Sequence, residues 1–100
     1  MIEYEDLQFQ NVQATGSSAA LGSWGYLDKW VACIGLTGGT ATVQWSNDGT
    51  NWQDLKDASG NDVTLTAAGQ NVPIDAPARE LRIRGDSLTG TYEFWFSYAQ

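Results

Sequence analysis

Apolar and polar residues alternate with a period of two along most of the chain. Thr40-Ala41-Thr42-Val43-Gln44-Trp45-Ser46 puts Ala41, Val43 and Trp45 on one side. Val63 and Leu65 repeat the pattern, and Val72 and Ile74 follow it. Leu81 and Ile83 then alternate with Glu80, Arg82 and Arg84, and Tyr92, Phe94, Phe96 and Tyr98 share a side opposite Glu93, Trp95 and Ser97. Side chains of a strand point to alternate faces, so this spacing predicts half-buried antiparallel strands. The run from Val31 to Leu36 is apolar on both faces, as in a central or covered strand. No window repeats its apolar positions at three and four, and no helix is expected.

Turn chemistry separates these runs at Gly35 to Gly39, Ser46 to Asn51, Ser59 to Asp62, Ala68 to Asn71 and Thr89-Gly90. Such punctuation at roughly every tenth residue predicts an all-β, antiparallel β-sandwich, jelly-roll-like, of seven or eight short strands. Pro73 and Pro77 bracket a segment best placed at a sheet edge, because proline cannot donate to a ladder. The sandwich is expected over residues 21–100. Residues 1–20 read as an N-terminal arm and hinge: Ile2, Tyr4, Leu7 and Phe9 are large and apolar, and 14–20 is a run of small residues. Such an arm either docks on another surface or forms a first strand of the same sandwich.

One hundred residues suffice for one core, and 12 aromatic side chains in that length need burial. The net charge of −7 disfavours phosphate-rich and anionic partners, so neither nucleic acid nor membrane is expected as a partner. Met1 to Gln10 carries three acids and no base, unlike a signal peptide, and a soluble protein made in a cytoplasm is expected.

The chain has no histidine, which removes Ser-His-Asp triads and the usual zinc sites. Cys33, the one cysteine, lies in an apolar run and reads as a small buried hydrophobe. No phosphate-cradling glycine motif is followed by a helix. Asp48, Asp57, Asp62 and Asp75 fall in turns, where they serve backbone geometry; Asp57 and Asp62 could be imagined on calcium, but the spacing matches no calcium loop. No catalytic residue, metal ligand or cofactor is expected. Arg84-Gly85-Asp86 spells an integrin-binding tripeptide, here read as a strand end with Gly85 as the turn.

Trp45-Ser46-Asn47-Asp48-Gly49-Thr50-Asn51-Trp52 reads as a hairpin corner, since Asp-Gly suits a tight turn. Ser46, Asp48, Gly49 and Trp52 resemble the Ser-x-Asp-Gly-x-x-Trp hairpin of discoidin-like domains, and Ala78, Arg79, Leu81 and Arg82 resemble a later strand of those domains. In that family the hairpin is architectural, so the resemblance implies no ligand site at the corner. The same hairpin, Pro77 to Arg84 and the aromatic strand ending at Tyr98 also look like small virion proteins of tailed bacteriophages, such as capsid decoration (cement) proteins and fibre domains. This resemblance implies a structural virion protein on the capsid surface that self-associates, as a trimer by preference, and binds the major capsid protein. Ile2, Tyr4, Leu7, Phe9, Trp24 and Trp95 are the expected contact residues. Trp95 either faces a partner or is covered within the monomer. The rival readings are a tail-fibre or baseplate domain and a carbohydrate-binding module, in which Trp24, Tyr26 or Trp52 would stack on a glycan.

Overall fold

The computed structural model describes residues 4–7, 16–17, 21–22, 28–74 and 79–99. They form one antiparallel sheet of eight strands: β1 (Tyr4–Leu7), β2 (Gly16–Ser17), β3 (Leu21–Gly22), β4 (Asp28–Ser46), β5 (Gln53–Asp54), β6 (Thr64–Leu65), β7 (Asn71–Ile74) and β8 (Glu80–Ala99). The architecture is all-β, and no helix occurs among the described residues. Two strands dominate it. β4 and β8 pair with each other from Asp28↔Ala99 to Ser46↔Glu80. Short strands line their other edges: β7, β6 and β5 along β4, and β1, β2 and β3 along β8. Thus Tyr4–Leu7, part of the expected arm, pairs with Phe96–Ala99 in this same sheet.

Two of the expected turns are not turns. The chain runs straight through Gly35–Gly39 inside β4 and through Thr89-Gly90 inside β8, with register shifts at Cys33/Gly35, Leu36/Gly38 and Gly38/Thr40. Bulges of this kind bend a strand without ending it. The glycines serve close approach rather than reversal. Gly39 has φ +90°, and a Cβ there would sit 2.4 Å from the Ser87 carbonyl oxygen; one on Gly90 would sit 2.7 Å from Thr37 Cβ. Ser87 itself takes φ 56°, a conformation that side chains other than glycine seldom adopt. Among the described residues the strands therefore number eight, but two of them are long rather than short.

The bend divides the sheet into two halves. One holds Lys29 to Leu36 against Tyr92 to Trp95 and on to Ala99; the other holds Thr40 to Ser46 against Glu80 to Asp86. Val31, Cys33, Ile74, Phe94 and Phe96 point inward from the first half, and Ala41, Val43, Leu65, Leu81 and Ile83 from the second. All ten belong to one cluster, so the sheet curls until its halves face each other across a common core. Full burial of each Phe, Leu or Ile contributes about 1.5–3 kcal/mol, which makes this interior the main source of cohesion. Cys33 is buried there, and burial raises its thiol pKa, so it packs as a small hydrophobe and stays unreactive.

A fork in the backbone completes the second half. Val43 N–H donates to the Val63 carbonyl, Val63 N–H to Leu55, and Leu55 N–H to Val43. Leu55 and Val63 enter the core through this closed ring, while residues 56–62 project as an exposed hairpin.

Candidate functional site

The corner between β4 and β5 is closed by its own side chains. Ser46 Oγ accepts from the N–H groups of Asp48 (3.2 Å) and Gly49 (2.9 Å) and donates to Asp48 Oδ1 at 2.9 Å. Asp48 Oδ1 also accepts from Thr50 N–H at 2.9 Å and Asn51 N–H at 2.7 Å, and Oδ2 accepts from Asn51 Nδ2 at 2.6 Å. Hydrogen bonds to the ionised form favour it, so these donors, Asn51 and Thr50 foremost, hold the Asp48 carboxyl far below the usual carboxylate range. Gly49 supplies the left-handed residue at φ +77°. The Ser-x-Asp-Gly pattern is thus an architectural device, and its carboxylate is spent on the loop.

The two tryptophans of the corner go to opposite faces. Trp45 pairs with Gln53 and packs on the core. Trp52 lies on the outer face of the second half, where the Arg82 guanidinium stacks 4.2 Å from its ring centroid. Arg82 Nε donates to Gln44 Oε1 at 2.8 Å, and Gln44 Nε2 donates to Asp54 Oδ1 at 2.8 Å. Arg84 extends the chain with a loose ion pair to Asp54 at 3.8 Å. Gln44, only 5 % exposed, has both ends of its amide satisfied, as a buried amide must. Burial, and then the charge of Arg84, lowers the Arg82 pKa, yet a guanidinium remains charged. One face of Trp52 is therefore occupied by Arg82.

The outer face of the first half differs. Trp30, Ala32 and Trp95 alternate with the buried Val31, Cys33, Phe94 and Phe96, and cross-strand pairing sets Ala32 beside Trp95 and Pro73 beside Trp30. Ile34, at the first bulge, is 57 % exposed. Trp95 is half-buried and its indole Nε1–H donates to Glu93 Oε2 at 2.6 Å, fixing the ring against the sheet. This aromatic face escaped sequence reasoning apart from Trp95. The alternation Trp30, Ala32, Ile34 was its signal, hidden because the intervening residues are apolar too.

Of the other expected contact residues, Ile2, Phe9 and Trp24 lie outside the described residues, as does the candidate platform residue Tyr26; Tyr4 and Leu7 are backbone partners of Ala99 and Phe96. Arg84-Gly85-Asp86 is not a turn. Gly85 is buried inside β8, paired with Ala41 on one side and Gly16 on the other, so the tripeptide cannot be presented as a loop. Asp57 Oδ1 accepts from Ser59 and Asn61 N–H groups of its own turn, and Asp62 pairs with Lys56. Among the described residues no group of three or more His, Cys, Asp or Glu is placed to hold a metal ion.

No family model matches the chain, and no curated protein does. Among solved structures it is similar to the SPBc2 prophage-derived protein YomS. That superposition covers 100 % of this chain and 96 % of the other, with a TM-score of 0.81 at 9 % identity. The likeness is one of fold. Drosophila melanogaster CENP-C bound to CAL1 also matches, over 65 % of that chain, at a TM-score of 0.43 and 9 % identity. The discoidin-like resemblance stays confined to its two short motifs.

Proposed function

We propose that the protein is a non-enzymatic structural component of a phage virion, and that it decorates the capsid as a cement protein. The observation that carries this reading is an outward apolar face, the exposed Ile34 with the half-buried Trp30 and Trp95, on a fold that a prophage-derived protein shares along nearly its whole length. Exposed apolar patches on a sheet face mark contact surfaces. At ~25 cal/mol per Å2, burying ~400 Å2 of apolar area contributes about 10 kcal/mol gross before association costs.

Closed symmetric oligomers are the usual outcome of self-association, and a trimer fits the local three-fold positions of a shell. Repetition over the shell then adds avidity. A net charge of −7 keeps coated particles apart in solution. Mass spectrometry of purified particles, with heads and tails separated, tests the reading directly. The protein should be found with the heads, and light scattering of the isolated chain should give more than one subunit. Recovery with tails would move the reading to a fibre or baseplate domain, and absence from both fractions would end it.

A further inference from the structure

We propose that the cleft beside the corner, between Trp45 and Gln53, binds a single neutral sugar ring. The cleft measures about 190 Å3 and is lined by Trp45, Ser46, Asn47, Asp48, Asn51 and Gln53. Trp52 is not part of this lining, and the inference stands or falls independently of the virion reading.

The lining offers what a hydroxyl-rich ring needs. Trp45 is half-buried, held from behind by the core, and among the described residues its indole N–H has no hydrogen-bond partner. Asn47 uses only Oδ1, accepting from Arg79 N–H at 3.3 Å, so both Nδ2 donors remain. Asn51 uses Nδ2 on Asp48, leaving Oδ1 as an acceptor. Gln53 is exposed, and among the described residues its amide has no partner, so it offers both kinds of group. Sugar hydroxyls donate and accept at once, and side-chain amides answer both demands.

Rigidity and charge narrow the class. The hydrogen bonds of Ser46 and Asp48 fix the loop before any ligand arrives, which lowers the ordering cost of binding. The ionised Asp48 in the wall disfavours phosphates, sulfates and acidic sugars, and leaves neutral rings. A volume below the ~300 Å3 at which drug-sized pockets begin matches one ring, free or at a chain end.

The test is an NMR titration of the 15N-labelled protein with the methyl glycosides of glucose, galactose, mannose and N-acetylglucosamine. At least one should shift the Trp45 indole and the Asn47, Asn51 and Gln53 side-chain signals saturably. Gln53→Ala and Asn47→Ala, with backbone spectra otherwise unchanged, should each weaken that binding about tenfold, the effect of one lost hydrogen bond. Absence of a saturable shift with all four glycosides, or affinity unaltered in both variants, would overturn the assignment. So would a response to calcium chloride alone.

Discussion

The same two strands build two outer faces, and the molecule treats them in opposite ways. Over the second half, Gln44 is sealed beneath Arg82, Trp52 and Asp54, and both ends of its amide meet a partner. Over the first half, Trp30, Ala32, Ile34 and Trp95 form a largely apolar strip, with Ser97 paired to Trp30 and the Trp95 N–H tied to Glu93. A face completed by its own side chains has little left to give a partner. A face that keeps an isoleucine 57 % exposed beside two tryptophans still gains by being covered. The contrast leaves the first half as the face with apolar surface still to cover.

The largest expected effect comes from the bend that separates the halves. Gly39→Ala forces a Cβ against the Ser87 carbonyl at a left-handed φ, and should lower unfolding stability by about 3 kcal/mol or more in urea titrations. A loss under about 1 kcal/mol would mean the two strands are not so closely apposed there. Next comes the sealed face. Gln44→Leu leaves Arg82 and Asp54 without their shared amide and should cost about 1–3 kcal/mol. In a double-mutant cycle, Gln44→Leu and Arg82→Ala should be non-additive; additive losses would dissolve the network.

A smaller effect is read as a pH slope. The folded-state pKa of Asp48 is depressed, so its contribution is complete above the ordinary carboxylate range and is lost as pH falls below it. Thermal midpoints of Asp48→Asn should therefore fall less steeply with acid than those of the unaltered protein. Equal slopes would assign the acid sensitivity to other carboxylates. The smallest change in stability is expected on the open face. Ile34→Ser should shift unfolding by no more than about 0.5 kcal/mol, while light scattering shows a lower mass and co-sedimentation with heads declines. Unaltered assembly would show that this face is not the adhesive one.

Much of this organisation is legible in the residues. Ala41 and Val43, Leu81 and Ile83, and Phe94 and Phe96 are buried as their spacing requires, and Pro73 sits in β7, which pairs with β4. Ser46, Asp48 and Gly49 announce their corner, because the bonds that close it reach no more than three residues along the chain. Gly35 to Gly39 misled for a physical reason. Glycine serves both reversal and close approach, and only the partner strand, some fifty residues later, distinguishes them. Gly85 misled in the same way, since its neighbours Gly16 and Ala41 come from distant strands.

Alternation along the chain determined by itself that the protein is β-structured, which side chains point inward, and where the Asp48 corner falls, because each depends on neighbours a few bonds away. Only the tertiary structure decided that Gly35 to Gly39 and Gly90 lie inside long strands, that Arg82 covers one face of Trp52, and that Trp30, Ile34 and Trp95 share an outer face. Those outcomes are set by what lies across the sheet, and strand pairing joins residues that the linear order keeps far apart.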